Sequence, residues 1–144
     1  MAAGFCHVVA LTSSGQVYAW GQNQFCQVAE EDTDRIFTPV PVSANLEGKF
    51  VTSVACGFNH TLALTDQGEV YGWGYNKQGR IIGVTSADQR IYIEGDIVLA
   101  PVKIRFPCEI KTKIVSISAG RHFSVALTDN GQVRSEFHQF VYHN

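Results

Sequence analysis

Apolar residues along this chain fall into short runs, VVAL from Val8, VYAW from Val17, TLAL from Thr61, VYGW from Val70 and SVAL from Ser124. The runs are too short for helices, are rich in Val, Ile, Tyr and Trp, and are separated by SSG, DQG and DNG, where glycine takes positive φ in a tight turn. This pattern predicts antiparallel strands. The runs VVAL, TLAL and SVAL do not alternate, so both faces of those strands are apolar. A sheet with one wet face would not carry such a strand, whereas a sheet packed between two others would.

The runs also repeat. AAGFCHVVALTSSGQVYAWGQN from Ala2, ACGFNHTLALTDQGEVYGWGYN from Ala55 and SAGRHFSVALTDNGQV from Ser118 align without gaps. Gly4, Gly57 and Gly120 share one column, and Gly15, Gly68 and Gly131 share another, both spaced by 53 and then 63 residues. TPVPV from Thr38 matches APVKI from Ala100, and FVTSVACG before Gly57 matches KIVSISAG before Gly120. Each full repeat therefore carries four short strands. Four strands at a period near 50 with both sheet faces covered predict the blades of a β-propeller, an all-β fold.

The glycine, histidine, ALT and Gly-x-Val-Tyr-x-Trp-Gly-x-Asn pattern of GFCHVVALTSSGQVYAWGQN and GFNHTLALTDQGEVYGWGYN resembles the regulator of chromosome condensation repeat family. The resemblance covers nearly the whole chain and implies blades of a seven-bladed propeller. It also implies a protein-interaction role, since the family includes an exchange factor for the Ran GTPase, proteins fused to BTB domains, and HECT-type ubiquitin ligases. Its implied partner is a protein, with a small GTPase among the alternatives.

The repeats divide the chain into residues 1–53, starting within a first strand, residues 54–116 with an extended loop at 83–99, a partial repeat at 117–133, and a divergent tail at 134–144. Two blades and part of a third do not close a ring, since even four blades need roughly 200 residues. The expectation is a fragment or truncated isoform whose open blade edges favour self-association.

Departures from the pattern are informative. Cys26 stands where the family has glycine, which predicts a remodelled turn. His122 sits one residue early in the third copy and leaves Phe123 in the column of His7 and His60. The extended loop includes RIYIEGDIVL from Arg90, whose alternation about Glu94-Gly95 predicts a small projecting hairpin. Asp88, Arg90, Tyr92, Glu94 and Asp96 on that loop are the candidate partner-binding residues, because the repeat dictates neither its length nor its chemistry.

Composition narrows the chemistry. The chain has 144 residues, 45% of them hydrophobic, and a net charge of -2 with Lys and Arg scattered, which argues against a nucleic-acid or chromatin surface on this segment. No apolar run approaches a membrane span, and MAAGFCHVVAL lacks the basic start and cleavage pattern of a signal peptide. An intracellular protein, cytoplasmic or nuclear, is expected. Cys6, Cys26, Cys56 and Cys108 form no CxxC pair, so reduced, mostly buried thiols are expected and no metal or cofactor.

His7 and His60 are open to an acid–base reading, but a catalytic group is seldom needed once per blade, and a core histidine bonded to a neighbouring strand fits better. Trp20 and Trp73 read as space-fillers between sheets, with Gly72 and Gly74 beside Trp73 letting adjoining backbone come close and Gly21 and Gly74 recurring as structural repeat positions. Asp66 and Asp129 precede turn glycines, where Asp bonds its own backbone. No catalytic constellation is present in the sequence, so a non-enzymatic protein is expected.

Overall fold

The computed structural model describes residues 1–29, 33–77, 79–81, 93–106 and 113–135. The described residues form three antiparallel sheets and no α-helix. The first runs in the order β1 (Ala2–Ala3), β2 (His7–Leu11), β3 (Val17–Gln22) and β4 (Arg35–Pro41). The second contains β5 (Val51–Cys56), β6 (His60–Thr65), β7 (Val70–Tyr75), β9 (Ile97–Lys103) and β8 (Ile93–Glu94), in that spatial order. The third holds β10 (Ile114–Ala119), β11 (Ser124–Thr128) and β12 (Val133–Ser135). β5 packs against both β1 and β10, so the first strands of the three sheets lie side by side. This is an arc of a β-propeller.

The same turn is built three times. In each hairpin between second and third strands a threonine closes a five-residue loop: the N–H groups of Thr12, Thr65 and Thr128 donate to Gln16, Glu69 and Gln132 carbonyls at 2.9 Å. Their hydroxyls accept back from the N–H groups of the same three residues. Gly15, Gly68 and Gly131 complete the loop at φ of 77, 76 and 80°. The hydroxyls, not Asp66 or Asp129, hold these turns. The main-chain N–H groups of those two aspartates reach back to the Phe50 and Lys113 carbonyls at 2.9 Å and dock the turn on the strand before it.

The central strand of the second sheet shows what stacking does. All six residues of β6 are buried, because the strand lies between the first repeat, which Thr61 meets at His7 and Gln27, and β10 of the third sheet. Leu62, Val70, Trp73, Val98 and Val102 form the core with Val9 of the first sheet and Val28 of the loop after β3. β4, at the outer edge of the first sheet, is mostly exposed, with Phe37 82% open to solvent. On the outer rim Glu69 holds Lys49 at 2.7 Å and Lys103 at 2.6 Å, and hydrogen bonds from these two lysines keep its carboxyl down near 2.

Two expectations are corrected. Cys26 does not remodel its turn: it takes φ of 54°, the left-handed conformation of Gly79 at 66° in the second repeat. Cys26 N–H donates to Asn23 O at 2.9 Å as Gly79 N–H does to Asn76 O at 3.0 Å. Asn23 and Asn76 fix both turns, their side-chain oxygens accepting from the N–H groups of Val28 and Ile81 at 2.9 Å. The backbone demand is thus set by the asparagine, and the cysteine conforms to it.

The hairpin in the extended loop exists, but it turns at Gly95-Asp96, with Glu94 paired to Ile97 and Ile93 to Val98. Gly95 has φ of 58°, the value such a two-residue turn requires. The second strand of that hairpin, β9, is the outermost long strand of the sheet, paired with β7 from Tyr71 to Tyr75, so the hairpin extends the sheet by one short strand and does not stand apart from it. Residues 90–92 of the predicted hairpin lie outside the described residues.

Gly74 sits at φ of 100°, and a Cβ there would lie 2.6 Å from the Asn59 carbonyl, which accepts from Tyr75 N–H. Gly48 has φ of 73° with open space around it. In urea unfolding, Gly74→Ala is expected to cost about 3 kcal/mol and Gly48→Ala about 1 kcal/mol, because only the first adds a backbone clash to the left-handed penalty.

Candidate functional site

The histidines of the first two repeats join neighbouring sheets. His7 on β2 is buried, and its Nε2 lies 2.9 Å from the Thr61 hydroxyl on β6 of the next sheet. That hydroxyl donates to the Gln27 carbonyl at 3.0 Å, which also accepts from Trp73 Nε1–H at 3.0 Å. Because the Thr61 proton is committed to Gln27, Nε2 of His7 must carry a proton and donate. The chain of bonds thus runs His7 to Thr61 to Gln27 carbonyl, with Trp73 closing it from the other side.

The arrangement recurs one sheet on. His60 Nε2 meets Ser124 Oγ at 3.0 Å, and Ser124 Oγ donates to the Arg80 carbonyl at 2.5 Å. Arg80 occupies the column of Gln27 and Ser124 that of Thr61. Trp73 is fully buried between the first two sheets, while Trp20, its counterpart, is only half-buried on the first sheet.

The glycine column makes these bonds reachable. A Cβ on Gly4 or Gly57 would collide with the imidazole of His7 or His60 in the same sheet. It would also lie 2.6 and 2.7 Å from the carbonyls of Gly57 and Gly120 in the next sheet. At the third repeat the ring under Gly120 is Phe123, filling the volume that imidazole fills elsewhere.

Burial pushes both imidazoles down to about 4, and for His60 the Arg80 and His7 charges add to the effect. Nδ1 of each ring is buried without a partner, so a second proton there would be desolvated. These histidines are neutral cross-links, placed where no solute reaches them.

At the end of the sheets nearest this column the turns carry a row of rings and cations. Phe5, 67% exposed, stacks on Phe58 with centroids 4.2 Å apart and planes 16° from parallel. Arg121 lies over the Phe58 ring at 4.8 Å, and His122 stands 6.1 Å from it. Main-chain bonds set the row: Phe5 N–H donates to Phe58 O at 3.4 Å and Phe58 N–H to Arg121 O at 3.3 Å. Farther out, Tyr75 contacts Phe25 at 4.4 Å and carries the Arg80 guanidinium at 4.8 Å.

Of the loop residues singled out in the sequence, Glu94 and Asp96 are exposed on the β8–β9 hairpin, while Asp88, Arg90 and Tyr92 lie outside the described residues. Asn76 N–H donates to Asp96 O at 2.7 Å, which ties the hairpin tip to the same end of the sheet as Tyr75. Among the described residues no group of three His, Cys, Asp or Glu side chains is placed to hold a metal ion. Thr61, Ser124, Gln27 and Arg80 were not singled out. The sequence signal for them is a hydroxyl after the histidine column, broken by Val8, and their acceptors are main-chain carbonyls.

Comparison with known proteins places this architecture. The regulator of chromosome condensation (RCC1) repeat model matches residues 14–64 and 67–127, and a second model of the same repeat matches 51–80. The chain belongs to the RCC1 repeat family. It is 31% identical over 133 residues to the ultraviolet-B receptor UVR8 of Arabidopsis thaliana, covering 92% of this chain and 28% of that protein. It is 32% identical over 135 residues to human protein RCC2, covering 92% and 24%. Among solved structures, yeast RCC1 (Prp20) bound to Kap60 superposes with a TM-score of 0.76 at 27% identity, covering 92% of this chain and 30% of that one. The chain therefore spans about a quarter to a third of the RCC1-repeat proteins it matches.

The relay carries two testable consequences. Thr61→Val strands the buried His7 Nε2–H and is expected to cost about 2 kcal/mol, whereas His7→Phe with Thr61→Val strands nothing, since Trp73 still serves the Gln27 carbonyl, and should recover most of that loss in a double-mutant cycle. The second consequence is a pH dependence. With folded values near 4 against 6.5 ordinarily, the unfolded chain takes up protons in this window that the folded chain refuses. Stability is therefore full above pH 6.5 and falls on acidification toward pH 4 by roughly 1.4 kcal/mol per pH unit for each histidine. Denaturant melts across this range should show the slope, reduced by about half in His60→Gln.

Proposed function

We propose that this chain supplies RCC1-repeat blades to a protein-interaction surface, and that the turns bearing Phe5, Phe58, Arg121 and His122 are the part that meets the partner. The observation that carries this reading is the division of labour along each repeat. The histidine, its hydroxyl partner and the tryptophan hold the sheets together, while of the residues just after the column glycines Phe5 and Arg121 are exposed and Phe58 is half-buried between them, the three in contact with one another and outside the core. Exposed aromatic and arginine side chains on rigid turns are the usual anchors of protein recognition.

A photo-crosslinker replacing Phe5 should give discrete protein adducts in cell extract, while one replacing Ser14, in the hairpin at the other end of the same sheet, should not. The same adducts from both positions, or none from Phe5, would refute the assignment.

A second reading is guanine-nucleotide exchange on a Ran-like small GTPase. It is supported by the 27% identity to Prp20p of Saccharomyces cerevisiae, which binds Gsp1p and histones. No residue of this chain is assigned to that exchange, so its test is direct: release of a fluorescent GDP analogue from such a GTPase, accelerated by the chain at micromolar concentration. An unchanged release rate rejects it.

A further inference from the structure

The relay between the second and third sheets has a consequence at the surface. Because Ser124 Oγ bonds the Arg80 carbonyl, the loop after β7 is held against the turn that carries Arg121 and His122. Three cationic or protonatable side chains from two repeats are thereby gathered at one end of the sheets. Each arginine is braced on a ring, Arg80 on Tyr75 and Arg121 on Phe58, both at 4.8 Å.

No acid among the described residues is ion-paired with them. Among the described residues the only ion pairs are those of Glu69 with Lys49 and Lys103, on the opposite rim. Arg80 is 7% exposed; its Nε donates to Lys77 O at 3.1 Å, and its terminal nitrogens have no acceptor among the described residues. Burial lowers the Arg80 guanidinium below its ordinary range and the Arg121 charge adds to this. Burial first, then Arg80 and Arg121, lower His122 as well. Gathering like charges in this way costs free energy that an anion would return.

We propose that Arg80, Arg121 and His122, with the Phe5–Phe58 stack beside them, form a docking point for an acidic, apolar-flanked segment of a protein partner. The exposed Arg121 guanidinium, held over the Phe58 ring, presents forked donors that match a carboxylate, with the largely buried Arg80 charge behind it. The stack next to them offers a flat apolar surface for the neighbouring side chain. A nucleic acid fits less well. Its long run of phosphates would meet a chain of net charge -2 that exposes Glu94 and Asp96 on the hairpin tied to the end of β7, whereas a short acidic segment engages the arginines alone. The inference rests on the interaction-module reading and adds the chemistry of the partner.

The test is fluorescence anisotropy of the full chain with three labelled probes: a peptide of alternating Glu and Phe, its Gln-for-Glu counterpart, and a single-stranded oligonucleotide. The Glu peptide is expected to bind, more weakly as salt rises, and Arg121→Glu and the Gln peptide should each weaken binding by about tenfold or more. Arg121 is exposed, so this variant should melt like the parent; should it not, His122→Glu at the exposed neighbour reads the same charge. Equal affinity for Glu and Gln peptides, no effect of either charge reversal, no binding of the Glu peptide, or tighter binding of the oligonucleotide with the same sensitivity to Arg121→Glu would overturn the proposal. Protein adducts from the Phe5 crosslinker that persist in Arg121→Glu would sink this inference while leaving the interaction-module reading intact.

Discussion

The hydrogen bond from a buried histidine to the hydroxyl of the next sheet is the constraint from which the remaining geometry follows. A sheet packed on a sheet has no inherent registration, since apolar surfaces slide at little cost. The bonds from His7 through Thr61 to the Gln27 carbonyl, and from His60 through Ser124 to the Arg80 carbonyl, remove that freedom at two successive interfaces. They demand that the first strands approach closely, which excludes a side chain on Gly4 and Gly57. They also pin the loop after each third strand, which the side chains of Asn23 and Asn76 have already shaped.

The surface inherits this order. The turn that carries the half-buried Phe58 follows Gly57 directly, and the one that exposes Arg121 follows Gly120. The stack of Phe5 on Phe58 and the seat of Arg121 above it are therefore set by the same close approach that serves the histidines. Core and recognition surface are two sides of one turn.

The strands and their stacking were legible because they are written in periodicities: the two-sided apolar runs of β2, β6 and β11, the turn glycines, and the fixed spacing of the column residues. The role of Cys26 was misread because the left-handed position is imposed by the Asn23 side chain, a cause that residue identity at position 26 does not express. The threonine turns were assigned to the neighbouring aspartates for a similar reason, both residue types being common at such corners. The relay itself was half visible. Histidine recurs in the sequence, but its acceptor's acceptor is a main-chain carbonyl, which every residue possesses. The gathering of Arg80 with Arg121 was invisible, since 41 residues separate them and only the Ser124 bond brings them together.

The replacement of the ring at Phe123 and of the hydroxyl at Val8 bears on the identity of each repeat. His7 seeks a hydroxyl ahead of it and finds Thr61; His60 finds Ser124. Phe123 offers no such proton, and Val8 no oxygen to receive one. The three repeats are consequently not exchangeable modules: reversing their order would oppose imidazole to valine and benzyl to threonine at buried positions. The chain carries an address in each interface, and its blades are legible in one sequence only.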